Sequence, residues 1–82
     1  MTDAEIYQRL ATIFQDVLDD DALELTPTLT AEDVPQWDSL SHVRLILAVQ
    51  REFGVKFSAA HVAGLKDVGG LASLVKARLA QK

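Results

Sequence analysis

Asp38-Ser39-Leu40-Ser41-His42 is the stretch of this sequence whose residue types and spacing can do chemistry. It closes a polar, proline-punctuated segment and opens a long apolar run. Asp38 is suited to accept hydrogen bonds from the free N–H groups that begin a helix, which puts Ser39 on the first turn with its hydroxyl facing outward. The unpaired N–H groups and the positive end of the helix dipole favour an anion at that place, so a phosphate ester on Ser39 would fit. A hydrolase reading competes with this one. His42 lies three residues after Ser39 and can share its helical face, and Asp38 supplies an acid. Asp38 is needed as the cap, however, and the sequence has neither a G-x-S-x-G elbow nor an evident oxyanion hole. His42 also winds toward the core side, where it reads as a packing residue. In the plainest reading Ser39 is an ordinary first-turn serine with no chemistry.

The elements that must position this serine follow from periodicity. Thr2 and Glu5 have the spacing of a capping box, and Ile6, Leu10, Ile13, Phe14, Val17 and Leu18 recur as a helical stripe. Asp19-Asp20-Asp21 should stop that helix, because adjacent carboxylates sit badly at the negative end of its dipole. These aspartates lack the alternating spacing and closing glutamate of a calcium loop, so no metal site is assigned. Residues 22–37 hold Pro27 and Pro35 and show no sustained period, which predicts a long loop with a short turn around Thr30 to Val34. Leu23, Leu25, Leu29, Val34 and Trp37 can tack it across the helices, with Trp37 as a packing anchor that sets the approach to the second helix.

The second helix, Ser39 to Phe53, carries more apolar surface than one core face needs. At about 100° per residue, Leu45, Ile46, Val49 and Phe53 share one arc, while Leu40, Val43 and Leu47 occupy another. Gly54 fits a C-terminal cap, Val55-Lys56-Phe57 a short extended link, and Ser58 the cap of a brief helix over Ala59 to Ala63 that Gly64 ends. His61 on that helix reads as structural or solvated. Asp67 starts a fourth helix with a stripe of Val68, Leu71, Leu74, Val75 and Leu79. Gly69 and Gly70 weaken its first turn, and Lys76, Arg78 and Lys82 lie toward its negative end. No strand-period alternation, internal repeat or linker is visible. The expectation is one all-α domain over 1–82, with three main helices and one short one.

Composition narrows the functions. The 82 residues are 49% hydrophobic, enough for a small core without metals or disulfides, and the absence of cysteine means that any thiol chemistry must be imported. A net charge of −4 argues against nucleic acid as a partner. No basic leader or membrane-length apolar run is present, so a cytoplasmic protein without membrane insertion is expected. Residues 1–43 hold ten acids and one base, Arg9, whereas residues 44–82 hold two acids and seven bases. Whether that asymmetry survives in space depends on how the helices pack.

The run DSLSHVRLILAVQREF, from Asp38 to Phe53, resembles the attachment region of acyl carrier proteins and related peptidyl carriers. An Asp-Ser-Leu triplet arises by chance in a chain this size only about a few per cent of the time. Domain length, helix order, the preceding loop and Phe53-Gly54-Val55 add to the likeness. The resemblance implies an acyl-carrier-like helical bundle. It implies that Ser39, within Asp38-Ser39-Leu40, carries covalent 4′-phosphopantetheine, placed there from coenzyme A by a phosphopantetheinyl transferase. It further implies a non-catalytic, monomeric carrier of thioester-linked acyl or aminoacyl groups, served by acyl-loading and acyl-processing enzymes through a face that includes Leu40, Val43 and Leu47. Two departures from carriers of primary fatty-acid synthesis stand out. Trp37 precedes the motif, and Arg44 and Arg51 sit on the exposed side of a helix that is usually acidic in those relatives. Both point to a specialised fatty-acid, polyketide or nonribosomal peptide type pathway, and to a partner surface of Leu40, Val43, Arg44, Leu47 and Arg51. The competing function is a helical interaction module whose serine is never modified.

Overall fold

The first helix forms where its cap and its stripe agree. In a computed structural model, which describes residues 2–81, α1 spans Asp3–Val17 with Thr2 as N-cap. Glu5 N–H donates to Thr2 Oγ1 (3.2 Å) and Thr2 N–H to the Glu5 carboxylate (3.3 Å), closing the capping box. The hydrogen bond from the Thr2 backbone holds the Glu5 carboxyl below its ordinary value. Ile6, Leu10, Ile13, Phe14 and Leu18 are buried, while Val17, placed in the same stripe, is only half-buried at the rim. The chain then leaves the helix through Asp19, which adopts φ 53°, a left-handed conformation that aspartate tolerates better than most residues. Asp20 stabilises the turn by accepting from Ala22 N–H.

The long loop that follows is pinned rather than free. Gln15 Nε2 donates to Leu23 O (3.0 Å), and a 3₁₀ turn forms at Ala31–Asp33, with the Asp33 carboxylate accepting from Thr30 N–H. Its strongest attachment lies at the start of the last helix. Val68 N–H donates to Leu29 O and Gly69 N–H to Pro27 O, each at 2.9 Å, so two N–H groups that a helix start leaves orphaned are satisfied by the loop. The approach is close enough that a Cβ on Gly69 would stand 2.9 Å from Pro27 O. Gly69 is thus a contact residue, and its cost to the helix turn is the condition for docking the loop.

Three further helices complete the bundle: α2 at Ser39–Phe53, α3 at Ala59–Ala63 and α4 at Val68–Ala80. Each start is capped as its sequence predicts. The Asp38 carboxylate accepts from Ser41 N–H, Ser58 Oγ from His61 N–H, and the Asp67 carboxylate from Gly70 N–H. Gly54 ends α2 at φ 65°, ψ 38°. His61 returns a contact to the Ser58 N–H through Nδ1 (3.4 Å), so it belongs to a cap. α1 packs against both α2 and α4. Phe14, Leu10, Leu45, Val49, Val68 and Val75 are fully buried at the centre. On α4 the core takes Ala72 as well, while Leu74 and Leu79 remain half-buried.

Two surface ion pairs cross between the acidic and basic parts of the chain. Arg9 meets Glu52 at 2.8 Å and Lys76 meets Asp3 at 3.2 Å. Lys76 therefore serves the acidic start of α1 rather than the end of its own helix. Arg78 hydrogen-bonds Gln81 within the last turn, and Lys82 lies outside the described residues.

Candidate functional site

Ser39 is the first residue of α2, immediately after its cap. Asp38 has extended backbone, its carbonyl accepts the first helical bond from His42 N–H (2.8 Å), and its carboxylate accepts from Ser41 N–H at 2.9 Å. That backbone hydrogen bond holds the Asp38 carboxyl below its ordinary value, so the cap is ionised at neutral pH. Ser39 is exposed, and its hydroxyl has no hydrogen-bond partner among the described residues.

Trp37 fixes where this helix begins. Only 8% exposed, its ring meets Phe14 of α1 edge-on, with centroids 5.1 Å apart and planes at 90°. Its Nε1–H donates to His42 Nδ1 at 3.2 Å, and the two rings lie nearly parallel. Trp37 precedes the cap and His42 is the fourth helical residue, the spacing at which a hydrophobic staple closes over a helix start. That spacing could have revealed the pair in the sequence. One consequence concerns chemistry. With Nδ1 accepting from Trp37, the neutral imidazole carries its proton on Nε2, so neither ring nitrogen is free to take a proton from Ser39. The Asp38 carboxylate is engaged with Ser41 N–H as well. Hydrolase residues are therefore adjacent in sequence but not arranged as a catalytic relay.

A groove of about 500 Å³ opens beside Ser39, walled by Trp37 and His42 on one side and by Val62, Leu65 and Leu71 on the other. These last three come from α3, the link after it and α4. More than twenty residues separate them from Ser39, so no local signal announced them. Lys66 and Asp67 also reach this groove, Asp67 with its carboxylate committed to Gly70 N–H. An exposed, unpartnered hydroxyl at a helix start, next to a partly apolar groove, fits a phosphodiester-linked arm. The hydroxyl can be esterified without breaking any bond that holds the fold, and the helix start favours the phosphate's charge.

The remaining predicted positions lie farther along α2. Leu40, Val43 and Leu47 are 63%, 55% and 58% exposed, the large apolar side chains that the bundle leaves uncovered among the described residues. Arg44 and Arg51 are exposed on the same side. Glu52, next to Arg51 in sequence, pairs instead with Arg9 of α1.

Comparison with known proteins agrees with this geometry. A family described as a phosphopantetheine attachment site matches residues 8–75. The meromycolate extension acyl carrier protein of Mycolicibacterium smegmatis is 32% identical over 92% of this chain and 76% of its own length. The protein of the same name from Mycobacterium tuberculosis is 30% identical over 93% of this chain, which spans only 66% of that relative. The solution structure of a holo acyl carrier protein from Geobacter metallireducens superposes with a TM-score of 0.87 at 41% identity, covering 92% of this chain and 86% of the other.

Proposed function

This chain belongs to the phosphopantetheine-attachment family of acyl carrier proteins, and we propose from that premise that Ser39 Oγ bears the covalent 4′-phosphopantetheine arm. The observation that carries the assignment is the free Ser39 hydroxyl on the first turn of an Asp38-capped helix. The arm supplies the thiol that a chain without cysteine lacks. This chain's own residues then hold and present it. Asp38 fixes the helix start, Trp37 and His42 lock that start to α1, and Leu40 stands exposed on the turn that carries the serine. Val62, Leu65 and Leu71 offer apolar lining beside Ser39, which suits an acyl group.

In this reading the chain catalyses no reaction. A tether instead raises the effective concentration of its cargo at each docked enzyme without requiring tight binding. A separate phosphopantetheinyl transferase, with coenzyme A as donor, installs the arm, and dedicated acyl-loading and acyl-processing enzymes use it. The Trp37-Asp38-Ser39-Leu40 motif and the likeness to meromycolate extension carriers support a specialised acyl pathway over primary fatty-acid synthesis. No described helix is long and apolar enough to cross a membrane. A cytoplasmic setting and a monomeric state are part of the proposal.

Incubation with coenzyme A, Mg²⁺ and a broad-specificity transferase tests it. The intact mass should rise by one 4′-phosphopantetheine, and Ser39→Ala should remain unmodified. An unmodified wild type, or equal modification of Ser39→Ala, would overturn the assignment. An unmodified interaction module, by contrast, would bind its partners equally well with alanine at 39.

A further inference from the structure

The outer face of α2 combines two features that its buried face lacks. It exposes Leu40, Val43 and Leu47 by more than half, and it carries Arg44 and Arg51 without a compensating acid. Helical winding puts Arg44 and Arg51 within about 20° of each other and about 10 Å apart along the axis, on one flank of the leucines. The carboxylates that could have paired with them do not. Glu52 is held by Arg9, Asp38 caps α2, and Asp16, which lines the same shallow groove as Arg51, lies beyond ion-pair distance. Neither arginine forms an ion pair among the described residues. A chain with net charge −4 thus presents a locally cationic, apolar strip beside its candidate attachment serine.

We propose that this strip selects its partners by charge. The enzyme that docks on it presents an apolar groove edged by carboxylates, in positions that meet Arg44 and Arg51 while Leu40, Val43 and Leu47 enter the groove. The inference rests on the carrier reading of Ser39 and adds to it the polarity of the partner. Exposed charges set encounter rate and discrimination more than final affinity, so the effect belongs in loading rates at limiting enzyme. An enzyme whose docking rim is basic places like charges against the two arginines and serves this carrier poorly. That repulsion is the discriminating element.

A charge-swap experiment tests it. The probe is one acyl-loading enzyme with a basic carrier-docking rim, paired with a version in which two rim lysines or arginines are replaced by glutamate. Each is assayed against the wild-type carrier and Arg44→Glu/Arg51→Glu. The wild-type carrier should be loaded faster by the acidic-rim enzyme, and the double variant should reverse that order. The expected coupling in kcat/KM runs from about twofold to about thirtyfold, the range for two exposed ion pairs, and should shrink as salt rises toward 1 M, where the Debye length falls to about 3 Å. Arg44→Gln/Arg51→Gln should fall between the two carriers. Zero coupling, or preference of the wild type for the basic rim, overturns the proposal. So does a second copy of this chain as the occupant, which sedimentation would show as a dimer that the glutamate variant dissolves. Association rate constants of the unmodified carriers with the same two enzymes read the coupling without any arm. Failure of Ser39 modification and failure of charge selection therefore appear separately.

Discussion

Helix α2 carries two apolar arcs built from the same kinds of residue, and the bundle covers only one of them. Leu45 and Val49 are fully buried, with Ile46 and Phe53 beside them, whereas Leu40, Val43 and Leu47 stand more than half exposed. The inner arc faces α1 and holds the fold. The outer arc contributes little to it, since its side chains are as wet in the folded protein as an exposed residue usually is. A contiguous apolar strip kept at the surface is the kind of feature that can seat a partner. If it does so here, fold and association are separated by half a turn of one helix, and substitutions can address them one at a time.

The largest effect should come from the inner arc. Leu45→Ala empties a fully buried position and should cost about 2–5 kcal/mol. That is a large share of what a domain of this size has to lose. Urea denaturation followed by circular dichroism measures it. A loss below about 1 kcal/mol would mean that the inner arc is looser than its burial indicates.

The next effect concerns the loop that carries the motif to α2. Gly69→Ala should gain about 1 kcal/mol of helix propensity but lose about 1–3 kcal/mol by pressing a methyl group against Pro27 O, for a net destabilisation. Stabilisation by alanine would show that the loop does not sit on α4 and that Gly69 only weakens its turn.

Acid should act on the caps. The carboxyls of Glu5 and Asp38 titrate below their ordinary values, each because it accepts a backbone N–H. A depressed folded pKa adds stability that is present above the unfolded pKa, about 4, and is lost as pH falls through the folded value. Melting temperature should therefore hold from neutral pH to about 5 and decline below about 4. Asp38→Asn keeps a competent cap without the titration. It should match the wild type near neutrality and lose less on acidification. Identical acid profiles would place the pH dependence elsewhere.

Element boundaries were legible because this chain marks them with caps. Thr2, Asp38, Ser58 and Asp67 each precede a helix with the residue type that satisfies its first N–H groups, and Gly54 supplies the left-handed exit from α2. What stayed hidden depends on residues distant in sequence. The fit of Gly69 under Pro27 joins positions forty-two apart, and the groove beside Ser39 borrows a wall from Val62, Leu65 and Leu71. The diversion of Glu52 to Arg9 likewise spans two helices, and it decides whether Arg44 and Arg51 are neutralised. Propensity and period act within a turn or two and cannot report such pairings. The Trp37–His42 bond is different, for its spacing is local and matches a staple.

The smallest effect on stability is expected at the outer arc, where the contrast between the two faces is most exposed to test. Leu47→Ala removes a side chain that is already 58% exposed, so stability should stay within about 0.5 kcal/mol of the wild type. If the outer arc seats a partner, the same substitution removes an apolar anchor from that interface. Where Leu47 is one of the minority of contacts that anchor the interface, its truncation costs more than about 1 kcal/mol of binding, which is at least about fivefold in loading at limiting enzyme. Leu47→Ala should therefore melt like the wild type and load slowly, the reverse of a mild inner-arc variant such as Ile46→Val, which should melt earlier and load normally. Parallel thermal melts and loading rates on the two proteins read both quantities. Slow loading without a stability change assigns the outer arc to docking. Normal loading by Leu47→Ala would remove Leu47 from the partner surface and leave its exposure without a function.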